Sequence, residues 1–127
     1  MAFQKRERLR ALARHFDLTI SDPNLNDQQS LVRLLGGTAT EFPDRYRDAS
    51  PLTWVDKESA LYLIIHGVND DRNPLDHPRL MVDALKAADV EVIYAELPGV
   101  NHFNVANWEV AGPRTLSFFT AHLHPAG

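Results

Sequence analysis

Two loops of the chain carry side chains of the kind that move protons. "PGVNHFN", residues 98 to 104, places His102 directly after the apolar run "VEVIYAEL", and "LIIHGVNDDRNP" places Asp70 and Asp71 after an equally apolar run. A carboxylate that accepts the Nδ1–H of an imidazole fixes the tautomer and orientation of the ring, and Nε2 is then left to take a proton from a nucleophile. Asp70 and His102 lie 32 residues apart. They can still meet if both loops leave one edge of a parallel sheet from neighbouring strands, which run about 4.8 Å apart. Other readings of these residues are plainer: Asp70 as a turn-making loop aspartate, His66 as a packed strand-end residue bonded to backbone, His77 as a residue of a helix cap region. A metal site drawn from His66, Asp70, Asp71, His77 and His102 is conceivable by residue type, but no H-E-x-x-H or comparable spacing supports it, and no cofactor is implied.

The elements that must position such a pair are legible as an alternation. "ALYLIIHG" is a near-continuous apolar run of strand length, as expected for a strand covered on both faces in a parallel sheet. "LDHPRLMVDALKAADV" sets Leu80, Met81, Ala84, Leu85 and Ala88 on one face of a helix, with Pro78 in the first turn, where its missing N–H does no harm. "VEVIYAEL" follows as a second strand, and "GPRTLSFFTAHL" as a last helix with Pro113 near its start and Leu116, Phe119 and Leu123 facing the sheet. Strand, helix, strand, helix predicts a right-handed parallel unit of an α/β fold. Upstream, Asp27 can cap a helix over 28–35, whose Leu31, Leu34 and Leu35 form a stripe ended by Gly36 and Gly37. "EFPDRYRDASPL" reads as a proline-bounded connection with room for one helical turn, and "RLRALARHF" fits either a helix or a short strand. For Trp54 and Trp108, core packing or a partly covered surface outweighs a role in lining a cleft.

Composition narrows the function classes. A chain of 127 residues makes one domain or part of one, and 44% apolar with 24% charged residues is a globular composition. No stretch approaches the run of about 20 apolar residues that a membrane span needs. The start "MAFQKRERLRALARHF" lacks the apolar core of a secretory signal, so a cytoplasmic location is expected. With zero cysteines, disulfides, thiol catalysis and zinc–thiolate sites are excluded. The first sixteen residues hold five basic side chains against Glu7, while the whole chain has a net charge of −4. That basic start has no interleaved aromatics beyond Phe3 and Phe16, so a solvated face is a better reading than a nucleic-acid site.

Taken together, "SPLTWV", "LYLIIHGVNDDRNP", "LMVDALKAADVEV" and "ELPGVNHF" resemble the C-terminal portion of an α/β-hydrolase of the esterase/lipase and prolyl-oligopeptidase-like group. In that group a strand ending H-G-x-x-D-x-x-V-P carries the acid of a catalytic triad, and a P-G-x-x-H loop one strand later carries the base. His66, Gly67, Asp70 and Pro74 match the first motif, and Pro98, Gly99 and His102 the second. The resemblance therefore implies Asp70 as acid and His102 as base. Asn73 stands where the group usually has Val, and Asp71 adds a second carboxylate. "RLRALARHFDLT" resembles the group's sixth strand and "LLGGTATEFPDRYRDASP" the helical excursion before the seventh, so the implied architecture is a single partial α/β-hydrolase domain over 1–127. It would hold about three parallel strands with flanking helices.

What the chain does not contain sharpens the functional expectation. A hydrolase of this kind needs a G-x-S-x-G nucleophile elbow ahead of the acid and base. None of Ser21, Ser30, Ser50, Ser59 and Ser117 is flanked by the required glycines. The expectation is the C-terminal segment of a serine hydrolase acting on small carboxylic esters, nearly inactive by itself; an amidase or peptidase parent is the less favoured alternative. A different class of reading is a non-catalytic interaction module, or a subunit that needs a serine-bearing partner. An unpaired sheet edge at residues 1–20 would also favour a homo-oligomer whose interface includes some of Leu9, Leu12, Ala13, Phe16, Leu18 and Ile20.

Overall fold

The structure is a computed structural model in which Leu18 and residues 25–123 are described. Its elements are α1 (Leu25–Leu35), α2 (Pro43–Ala49), a 3-10 turn (Pro51–Trp54), β1 (Tyr62–Gly67), α3 (Asp76–Ala87), β2 (Val92–Leu97), a second 3-10 turn (Asn104–Ala106) and α4 (Trp108–His122). β1 and β2 pair in parallel, in a register that runs from Tyr62 opposite Val92 to Gly67 opposite Leu97. The predicted strand–helix–strand–helix unit is therefore present. Among the described residues the sheet has two strands; the "RLRALARHF" segment assigned to a third lies outside them.

Alternation along the strands decides what each face does. Tyr62 and Ile64 of β1 and Val92 and Tyr94 of β2 meet Met81, Val82, Leu85 and Val90 in one apolar cluster, so α3 covers this face. Met81 and Leu85 are wholly buried, as the helical stripe requires, whereas Leu80, one residue out of phase, is exposed. A fork from Arg79 to Glu96 (2.7 and 3.1 Å), with the Tyr94 hydroxyl donating to the same carboxylate (2.8 Å), fastens α3 to β2 at the surface. α3 ends in a Schellman arrangement: Asp89 N–H donates to Lys86 C=O and Val90 N–H to Leu85 C=O, with Asp89 at φ 60°.

Several boundaries differ from the sequence expectation. α1 begins at Leu25, so Asp27 lies inside it, and Leu34 on its predicted stripe is exposed. Its last carbonyls are served by the Arg45 guanidinium, which donates to Leu35 C=O at 2.9 Å. The proline-bounded connection contains a helix of 7 residues, α2, with Pro43 at its start, followed by the 3-10 turn. Leu18 is buried and donates its N–H to Ser50 Oγ (2.9 Å), so it packs within its own chain and is withdrawn from the proposed interface; Leu9, Leu12, Ala13, Phe16 and Ile20 lie outside the described residues.

α4 departs most. It starts at Trp108, which leaves Pro113 inside the helix, and Leu116, Phe119 and Leu123 face outward rather than toward the sheet. Both sides of this helix are apolar enough to be buried. The side holding Ala111, Thr115 and Phe118 is the one turned inward, while Gly112 lies on the outward side, buried beneath the Trp108 ring of its own helix.

Candidate active site

The parallel register brings the C-terminal ends of β1 and β2 level, so the loops that follow leave side by side. They are bonded directly to each other: Val68 N–H donates to Leu97 C=O, Asn69 N–H to Val100 C=O, and Gly99 N–H to Asn69 Oδ1 (3.0 Å). Two glycines permit this approach. A Cβ on Gly67 would collide with the Val100 carbonyl, and Gly99 turns with φ 74°, a conformation side-chain-bearing residues rarely adopt.

Within this frame Asp70 and His102 meet. His102 Nδ1 lies 3.1 Å from Asp70 Oδ2, with the Asp70 side chain 4% exposed and that of His102 14%. Asp71 points to solvent, so Asp70 is the carboxylate that faces the ring. The other oxygen, Oδ1, accepts the backbone N–H groups of Arg72 (2.9 Å) and Asn73 (2.8 Å). Burial pushes the Asp70 carboxyl up. The Asn73 N–H, the His102 ring and the Arg72 N–H outweigh this and hold it below its ordinary value.

His66 takes the strand-end role expected of it. Its Nε2 lies 2.7 Å from Asn73 C=O, and a carbonyl only accepts, so Nε2 carries a proton; the same nitrogen stands 3.5 Å from Asp70 Oδ2. Two imidazoles therefore flank one carboxylate oxygen. Among the described residues no group of three or more His, Asp or Glu side chains is placed to hold a metal ion, and His77 is buried in the first turn of α3 instead.

Around the ring, Asn101 Oδ1 accepts the N–H groups of Phe103 and Asn104 at 2.9 Å each, which shapes the loop that presents His102. Phe103 lies edge-on to His102 at 5.3 Å, exposed, with the Arg72 guanidinium 5.0 Å from its centre. Among the described residues nothing is hydrogen-bonded to His102 Nε2, and the buried Ser50 hydroxyl donates to Tyr46 C=O (2.7 Å).

A family model described as "Prolyl oligopeptidase family" matches residues 25–125, most of the chain and both loops of the pair. The chain belongs to the prolyl oligopeptidase family. Among its relatives is "Esterase LipC" of Mycobacterium tuberculosis, 33% identical over 91 residues, which are 68% of this chain and 23% of LipC. "Probable carboxylic ester hydrolase LipM" of the same organism is 38% identical over 58 residues, covering 45% of this chain and 14% of LipM. "Uncharacterized peptidase YtmA" of Bacillus subtilis is 32% identical over 59 residues, 46% of this chain and 23% of YtmA. Among solved structures, a "Truncated form of carbohydrate esterase from gut microbiota" superposes with a TM-score of 0.57 at 28% identity, over 64% of this chain and 28% of that one. This member of the prolyl oligopeptidase family thus spans less than a quarter of the length of the curated relatives it matches.

Sequence reasoning passed over Asn73, Asn69 and Phe103 as parts of the site. Asn69 carried one usable signal, since an Asn two residues after a strand-ending Gly is a ready bonding partner for a neighbouring loop. Asn73 carried another, a polar residue at a position where Val is usual.

Proposed function

We propose that this chain supplies the acid, Asp70, and the base, His102, of a serine hydrolase acting on small carboxylic esters, and that the serine comes from outside the described residues. The observation that carries the reading is the polarity of the His102 ring: Nδ1 is held on a buried carboxylate oxygen at 3.1 Å while Nε2 has no hydrogen-bond partner among the described residues. In such a site Nε2 takes the serine hydroxyl proton as Oγ attacks the ester carbonyl, the proton passes to the departing alcohol, and water then cleaves the acyl-enzyme with Nε2 again as base. Asp70 holds the ring and stabilises the imidazolium that forms at each step. The likeness to two mycobacterial proteins named as ester hydrolases favours esters. The peptidase name of YtmA favours an amide as the second reading.

Because no G-x-S-x-G stands in the sequence, the test supplies one. A chimera that joins to this chain the part of Esterase LipC outside the 91 matched residues is expected to hydrolyse p-nitrophenyl acetate faster than the matching p-nitroanilide, and to lose the activity with His102→Ala. A chimera that is folded by circular dichroism but no faster than its His102→Ala form would end the proposal. The chain alone is expected to show no His102-dependent turnover. Self-association belongs to the same reading, supported by the exposed apolar side of α4; light scattering that gives a monomer throughout the micromolar range would remove it.

A further inference from the structure

Asn73 is among the most deeply buried polar residues of the site, and its side chain is poorly satisfied. The residue is 4% exposed, its Oδ1 has no hydrogen-bond partner among the described residues, and its Nδ2 lies 3.5 Å from His102 Nδ1. Its main chain is fully engaged, with N–H on Asp70 Oδ1 (2.8 Å) and C=O accepting from His66 Nε2 (2.7 Å). The backbone is therefore fixed, and only the carboxamide is left to turn.

With Nδ2 toward the ring, two donors oppose each other, because the proton on His102 Nδ1 is the one that Asp70 Oδ2 accepts. A half-turn about Cβ–Cγ exchanges oxygen and nitrogen with no change of shape. It replaces a donor–donor contact and an orphaned acceptor with one new hydrogen bond and an orphaned donor. In either state a buried amide atom stays unpaired, which is a cost that an apolar isostere does not carry.

We propose that Asn73 is a positioning residue for the base: with Oδ1 turned to the ring it is a second acceptor, beside Asp70 Oδ2, for the Nδ1–H of His102. This rests on the Asp70–His102 pairing. The 3.5 Å contact is long for a hydrogen bond, so the assignment requires a closer approach of ring and amide. The other charged or titratable neighbours of the ring are His66, whose Nε2–H donates to Asn73 C=O while standing 3.5 Å from Asp70 Oδ2, and Arg72, which lies over Phe103. Neither offers Nδ1 an acceptor.

The test is the tautomer ratio of His102, read from imidazole 15N shifts of the purified full chain at a pH where the ring is neutral. It is measured in the native and the Asp70→Asn backgrounds, the latter bringing the ratio into a sensitive range. Asn73→Leu, an apolar isostere, is expected to lower the ratio of Nδ1–H to Nε2–H roughly threefold, while the urea midpoint stays level or rises. Should the Leu variant not fold, Asn73→Val is read the same way. An unchanged ratio in both backgrounds overturns the inference, as does a lowered urea midpoint with an unmoved ratio, which marks a structural role only. If Asp70→Asn itself leaves the ratio unmoved, the Asp70–His102 pairing has failed; if Asp70→Asn moves it and Asn73→Leu does not, the inference about Asn73 fails by itself.

Discussion

Asp70 concentrates the chemistry of the site on two oxygens, one fixed by backbone N–H groups and one shared by two imidazoles. Its ordinary value of 3.8 is lowered in the fold despite burial, so near that pH the folded chain binds fewer protons than the unfolded one. The resulting stabilisation is fully present above pH 3.8 and is lost as pH falls through the lower folded value. Urea unfolding across acid pH is therefore expected to show wild-type stability declining on acidification, and Asp70→Asn flattening that part of the profile while losing about 1–3 kcal/mol at neutral pH. Parallel profiles for the two proteins would refute the assignment. The sequence made Asp70 and His102 legible because each sits at a fixed offset from a strand end. The choice of Asp70 over Asp71 came from the motif offset alone, and Asn73 was not placed beside the ring, because the direction of a loop side chain is set by backbone bonds between loops that no periodicity encodes.

At the scale of elements, β1, α3 and β2 were readable because burial on a known face imposes a repeat: a continuous apolar run in the strands, and Met81 and Leu85 at helical spacing. α4 was misread because a proline suits a helix start: Pro113 drew the boundary to Gly112, four residues late. Its buried face was misread because hydrophobicity alone ranks Leu116 and Phe119 above Ala111 and Thr115, and says nothing of whether a covering layer is present. The C-terminus of α3 offers a test that depends on backbone alone. Asp89 holds φ 60° at the position where a Schellman motif most often has glycine. Asp89→Gly is expected to raise stability by about 0.5–1 kcal/mol in urea titrations; a loss would mean that the Asp89 side chain makes a compensating bond.

Over the whole molecule, the outward side of α4 is a coherent stripe: Trp108 (65% exposed), Leu116 (59%), Phe119 (49%) and Leu123 (65%) fall within one arc of the helix. Scattered exposed apolar residues are ordinary, but four large ones on one helix face make a patch. The double substitution Leu116→Lys, Phe119→Lys is expected to cut the fluorescence of a bound hydrophobic dye while shifting the unfolding free energy by no more than about 0.5 kcal/mol. A large loss of stability would show that the stripe is covered. The bonds between the two site-bearing loops have a different consequence, in time rather than in space. Asn69 gives its N–H to Val100 and takes that of Gly99 on its side chain, so neither loop can lift away without releasing the other. In deuterated water the Asn69 and Gly99 amides should then become labelled at matching rates, through one shared opening event. Asn69→Ala should let the Gly99 amide label sooner.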